Sequence, residues 1–70
     1  MRPRAIPTDP DALLTEDEAA ELLRLSPRTL QAWRTDKSGP AYVKLGRAIR
    51  YRRGTLLDWA KARTRHSELA

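Results

Sequence analysis

Arg28, Gln31, Ala32 and Thr35 recur at spacings of three and four, which gathers them on one arc of an α-helix. The arc offers a forked cation, an amide, a methyl group and a hydroxyl, a set suited to recognition rather than to bond breaking. An arginine fork matches a guanine edge or a phosphate, a glutamine amide matches adenine, and alanine allows close approach to a thymine methyl. Bond-breaking chemistry has little to draw on. His66 is the sole histidine, cysteine is absent, and neither a metal-ligand cluster nor a suitably placed carboxylate pair can be found. The chain is therefore read as a non-enzyme, with no cofactor, no metal and no small-molecule substrate.

Two short helices must hold that arc. Thr15 precedes an apolar-periodic run with Glu18 three residues on, so hydroxyl and carboxylate can satisfy each other's backbone donors as a capping box. Ala19, Leu22 and Leu23 then form a stripe to be buried, and Glu16, Asp17, Glu18 and Glu21 are expected in solvent, where an acidic first turn suits the helix dipole. Only Arg24 and Leu25 separate this helix from Ser26-Pro27, a good N-cap and a tolerated first helical residue. In the second helix Leu30 and Trp33 point back at the first, leaving the arc of Arg28 and Gln31 outside. Two short helices at a fixed angle make a helix-turn-helix. On these residues alone an ordinary helical hairpin with a wetted outer face fits equally well.

Asp36-Lys37-Ser38-Gly39-Pro40 ends the second helix. A period of two follows, Tyr42 to Leu45 and Ile49 to Arg52, around a Gly46-Arg47 turn. This predicts a two-stranded hairpin with Val43, Leu45, Ile49 and Tyr51 toward the core and Lys44, Arg50 and Arg52 outside. A cationic hairpin beside a recognition helix is a wing, with Arg47 at its tip able to enter a minor groove or clasp phosphates. The plainer alternative is a hairpin whose charges keep an edge soluble.

A last helix is expected from about Gly54 to about Arg65, with Leu56, Trp59, Ala60 and Arg63 on one face. Trp33 and Trp59 each sit in an apolar stripe and are read as core rather than as base-stacking platforms. Lys61, Arg63 and Arg65 suit the negative end of the helix dipole. Residues 1–12, with Pro3, Pro7 and Pro10, are expected to form a flexible arm whose Arg2 and Arg4 either grip a backbone or simply fray. The folded domain is placed at residues 13–65 and a frayed tail at 66–70.

Charge separates along this layout. Residues 1–25 carry three cations against six anions, residues 26–53 eight against one, and residues 54–70 three against two, for a net charge of +5. A concentrated positive middle attracts polyanions across about 8–10 Å in ordinary salt. Nucleic acid is favoured over a membrane, because no basic amphipathic helix with an aromatic face is present. No signal-peptide pattern and no run of membrane-spanning length occurs, so the expected location is the cytoplasm, on the nucleoid when bound.

From Leu13 to Arg63 the chain resembles the excisionase-type, MerR-like winged helix-turn-helix domains. The resemblance lies in Leu14-Thr15 before an acidic, alanine-rich helix, in Leu25-Ser26-Pro27-Arg28-Thr29-Leu30 followed by Trp33-Arg34, in Gly39-Pro40 with Tyr42-Val43-Lys44-Leu45-Gly46-Arg47, and in Ile49-Arg50-Tyr51-Arg52 before Leu56 and Trp59. It implies a mainly α fold of three helices plus a two-stranded wing, binding double-stranded DNA. By that likeness Arg28, Gln31, Ala32 and Thr35 face the major groove. Ser26, Thr29, Arg34, Lys44, Arg50 and Arg52 meet the backbone, and Gly46 and Arg47 form the wing tip at a minor groove.

The family includes recombination directionality factors, which bend DNA so that an integrase excises an element, and small regulators of prophage or plasmid genes. The resemblance thus implies other copies of the chain on adjacent sites and a tyrosine-type integrase as partners. Two departures stand out. Gly54-Thr55 replaces the polar cap and acidic residue that often start the last helix, and no long helix follows residue 65, so the dimerising mode of the larger MerR-type activators is not expected.

Overall fold

The computed structural model describes residues 6–65 of the chain. Arg2, Arg4, His66 and the tail from residue 66 on lie outside them. The elements in order are β1 Leu13–Thr15, α1 Glu16–Leu23, α2 Pro27–Thr35, β2 Val43–Leu45, β3 Ala48–Arg52 and α3 Arg53–Ala62. Three helices therefore stand with a small antiparallel sheet of order β1-β3-β2, the arrangement of a winged helix-turn-helix with one strand more than its sequence suggests.

Local chemistry fixes the helix starts as the sequence requires. Thr15 Oγ1 accepts from the Glu18 N–H at 3.1 Å, and Glu18 Oε1 accepts from the Thr15 N–H at 2.9 Å. Ser26 Oγ accepts from the Arg28 N–H at 3.1 Å with Pro27 in the first turn. Between the helices the chain reverses on Arg24, which adopts φ 61 and ψ 42 without being glycine, while the Leu25 N–H closes onto the Ala20 carbonyl at 2.8 Å. After α2, Gly39 has φ +82, and a Cβ there would stand 2.8 Å from the Trp33 Cβ. Only glycine meets both demands.

The core is Leu14, Ala19, Ala20, Leu30, Tyr51 and Leu56, with Ile6, Leu22, Leu23, Trp33 and Ile49 packed around it. The buried side of α1 is thus centred on two alanines, and Leu22 and Leu23, expected as its stripe, are only half-buried. Trp33 and Trp59 meet at 5.5 Å between ring centroids, tilted by 51°, so both rings are used inside the protein.

The hairpin register corrects the expected faces. Val43 stands opposite Arg50, Lys44 opposite Ile49 and Leu45 opposite Ala48. Directly opposed residues share a face. The core-facing side therefore holds Ile49, Tyr51 and Lys44, with Leu14 of β1 opposite Tyr51. Val43 and Leu45, expected inside, lie on the outer side with Arg50 and Arg52, and Leu45 is 52% exposed. The cause is the two-residue Gly46-Arg47 loop, which pairs 45 with 48 and not with 49, and a shift of one residue reverses a face. Gly46 has φ +64 and Arg47 is not among the positive-φ residues, the pattern of a type II′ turn.

Helix α3 begins one residue before the expected Gly54 and ends at Ala62, with Arg63 as its cap rather than at Arg65. No side chain caps its start. The preceding chain does so instead. The Gly54 N–H donates to the Pro10 carbonyl at 2.8 Å and the Arg53 N–H to the Ala12 carbonyl at 3.0 Å. The segment expected as part of a flexible arm is therefore tied down from Pro10 to Ala12, because it supplies the acceptors that Gly54-Thr55 lacks.

Candidate nucleic-acid interface

Helix α2 leaves Arg28, Gln31, Ala32 and Thr35 exposed while Leu30 is buried beneath them. The Thr35 hydroxyl donates to the Gln31 carbonyl at 3.0 Å, which leaves its oxygen as an acceptor toward solvent. Ser26 is exposed at the helix start with Thr29 half-buried one turn on. The first N–H groups are already taken, that of Arg28 by the Ser26 hydroxyl oxygen at 3.1 Å and that of Thr29 by the Ser26 carbonyl at 2.9 Å, so this end offers the positive end of the dipole and the Ser26 hydroxyl proton.

Arg47 projects from the hairpin turn, exposed like Gly46 and Lys44. Arg47, Ala48, Ile49 and Arg50 of the hairpin, Thr15, Glu16 and Asp17 at the β1–α1 junction, and Arg34 of α2 line one open hollow of about 380 Å³. The last turn of α2 and the arginine-tipped loop thus flank one concavity. The remaining hairpin cations do not act as a block. Lys44 lies on the core-facing side, whereas Arg50 and Arg52 lie on the outer side, with Arg50 Nη1 donating to its neighbouring Ile49 carbonyl at 2.8 Å.

Arg34 is placed differently from the other expected contacts. Its Nε donates to Glu16 Oε2 and its Nη2 to Glu16 Oε1, each at 3.2 Å, a bidentate fork with side-chain exposures of 28% and 16%. The Tyr51 hydroxyl donates to the same Glu16 Oε2 at 3.1 Å. The Arg34 guanidinium is thereby committed inside the protein, and Glu16, expected in solvent, is drawn into the packing. Tyr42 completes the group, its ring 6.2 Å from that of Tyr51 and 6.0 Å from the Arg34 Cζ.

Titration follows from this geometry. Burial raises the Tyr51 phenol above its ordinary value, and the charge and hydrogen bond of Glu16 raise it further while Arg34 works the other way. Burial works against the Arg34 charge, but the hydrogen bond and charge of Glu16 outweigh it and hold the guanidinium above its ordinary value.

Sequence reasoning missed Glu16 as a member of this cluster. A signal was present: Glu16, Ala19, Ala20 and Leu23 form one i, i+3, i+4, i+7 row, so the acid begins the row that is buried. On α3 the Arg63 guanidinium lies 4.3 Å from the Trp59 ring centroid and donates to the Trp59 carbonyl at 3.2 Å, covering that ring. Among the described residues no three His, Asp or Glu side chains come together as metal ligands, and no helix is long and apolar enough to cross a membrane.

No curated protein matches the chain. A family model described as a helix-turn-helix domain matches residues 13–64, a stretch that takes in every strand and helix described above. By that match, which carries the capped helix pair and the sheet together, the chain belongs to the helix-turn-helix domain family, one that includes excisionase-like DNA-binding proteins.

Proposed function

We propose that the protein is a sequence-specific DNA-binding accessory factor without chemistry of its own, which lays α2 in a major groove and sets the Arg47 loop at the neighbouring minor groove or its phosphates. The observation that carries this reading is the exposed arc of Arg28, Gln31, Ala32 and Thr35 on a helix whose last turn flanks the same hollow as Arg47. Arg28 discriminates guanine and Gln31 adenine, each worth about 1–3 kcal/mol when bidentate. Ser26 and Thr29 serve the backbone from the start of α2, Lys44, Arg50 and Arg52 serve it from the two faces of the hairpin, and Arg34 contributes by holding the helix.

One such module covers a short site, so several copies on repeated sites give the affinity that one lacks. In that form the protein acts as a recombination directionality factor, curving DNA for a tyrosine-type integrase in the cytoplasm. A small transcriptional regulator of a mobile element uses the same surface, and coupling to excision separates the two. The test is a binding titration on a duplex selected from a random pool. Arg28→Ala should weaken binding to that duplex about tenfold or more. Full retention would transfer the basic face to an acidic protein partner. Bending of the selected site and integrase-dependent excision in a reconstituted reaction then support the directionality role, and a single unbent complex excludes it.

A further inference from the structure

We propose that Glu16 is a positioning residue for DNA recognition: its carboxylate, bridging Arg34 of α2 and Tyr51 of β3, sets the recognition helix against the wing and withholds the Arg34 charge from the duplex. This rests on the DNA-binding reading above and identifies what fixes its geometry.

Glu16 is well placed to be a fixed point. It is the first residue of α1, and the preceding Thr15 is at once the N-cap of that helix and a β1 residue paired with Arg50. No linker intervenes, so the carboxylate is carried by a capped helix joined directly to the sheet. From there it reaches the two elements that meet DNA. The bidentate fork with Arg34 fixes a plane and not merely a distance. The bond from Tyr51, a residue 1% exposed, fixes the same oxygen against the strand that returns from the wing tip.

On α2, Arg34 lies between the buried row of Leu30 and the exposed arc of Gln31 and Thr35. Holding its head therefore holds the rotation of the helix about its axis. With side-chain tips about 5–6 Å from that axis, a rotation of about 10° moves a tip by about 1 Å. That displacement is twice the tolerance of about 0.5 Å within which a recognition group works. A second effect is electrostatic. Arg34 shares the hollow with Arg47, and Glu16 neutralises it there. Releasing it adds an unselective cation beside the wing.

These two consequences have opposite signs on the two kinds of DNA, which separates positioning from plain structural support. The experiment uses the full chain, a duplex selected from random sequence by the wild-type protein, and a scrambled duplex. Affinities are read by fluorescence anisotropy across a salt series, with thermal unfolding confirming the folded fraction. Glu16→Gln should lower the ratio of scrambled to selected Kd about tenfold, the scale of one mispositioned base contact. Its binding to the scrambled duplex should be at least as tight as wild type, with a salt slope steeper by about 0.9, one further phosphate neutralised. Tyr51→Phe keeps the ring and the Arg34 fork, so it should lower the ratio by a smaller factor and leave the slope unchanged.

A folded Glu16→Gln that keeps the wild-type ratio, or that loses affinity equally for both duplexes with no change of slope, overturns the proposal while DNA binding stands. If Glu16→Gln does not fold, Tyr51→Phe decides: an unchanged ratio overturns the proposal and a reduced one supports it. A wild-type protein that selects no duplex overturns the DNA reading itself, and this inference with it.

Discussion

Helices α1 and α2 have nearly the same length, eight and nine residues, and each begins on a hydroxyl cap, yet they use their charges in opposite ways. The first turn of α1 carries Glu16, Asp17 and Glu18, and two of these look inward: Glu18 to the Thr15 backbone and Glu16 to Arg34 and Tyr51. The first turn of α2 has no acid and presents Arg28. On its buried side α1 is small, Ala19 and Ala20, so that α2, α3 and β3 all pack against it. On its exposed side α2 carries side chains with hydrogen-bonding heads. One helix is the support and the other is what is supported. The difference teaches that regional charge says less than whether each charge already has a partner. Among the described residues Arg34, Arg50, Arg52 and Arg63 donate to protein acceptors, while Arg28 and Arg47 have no such side-chain bond.

The largest effect that would break this division lies within α2 itself. Leu30→Ala should destabilise the fold by about 2–5 kcal/mol, since it opens a cavity at a residue 1% exposed in the middle of the core. Gln31→Ala, one position along, should change stability by no more than about 0.5 kcal/mol and still weaken binding to a selected duplex about tenfold. Urea denaturation and a binding titration on the two variants measure both quantities. Equal loss of stability in the two would mean that the faces of α2 are assigned wrongly.

How much of this was readable beforehand depended on whether the signal was local. Both hydroxyl caps, the Pro27 start and the core placement of Leu30 and Trp33 follow from neighbours three or four residues away, and the chain reveals them. β1 leaves no pattern of its own, because three residues are too few to display alternation and their partner, β3, lies far along the chain. The face of Val43 and Leu45 follows from loop length rather than from alternation, since a two-residue turn dictates which residues oppose each other. The docking of Pro10 and Ala12 on α3 left no trace, being made by backbone carbonyls whose side chains are immaterial. The Glu16 cluster joins residues 16, 34 and 51, and a charged first turn masked the one row that pointed to it. Of the proposed contact residues, the exposure of those on the α2 arc follows from period alone, whereas the division of Lys44 from Arg50 and Arg52 needs the register.

The next comparison sharpens the difference between the two caps. Thr15→Ala removes one half of a reciprocal pair in a part-buried setting, and should cost about 1–2 kcal/mol. Ser26→Ala removes a single exposed acceptor and should cost about 0.5–1 kcal/mol. Binding should reverse the order. Ser26 starts the presented helix beside Arg28, so its loss should weaken a selected duplex more than the loss of Thr15 does in protein that is fully folded. Denaturation midpoints and titrations on both variants check the crossing, and parallel losses would erase the distinction between support and presented helix.

The smallest effect tests whether Tyr51 is a buried member of the support. Its phenol is raised above the ordinary value in the fold, by burial first and then by Glu16. The folded chain therefore keeps this proton at a pH where the unfolded chain has already released it. Unfolding then releases a proton in that window, and stability falls as pH rises. The contribution of Tyr51 should be fully present below about pH 10, the ordinary tyrosine value, and decline as pH climbs from there through the raised value. Other groups titrate in the same range, so the informative quantity is the difference in unfolding free energy between wild type and Tyr51→Phe, followed by urea denaturation across alkaline pH. That difference should be level in neutral solution and shrink above about pH 10. A difference that stayed flat through the alkaline range would place the phenol in water, and Glu16 would then have only Arg34 to hold.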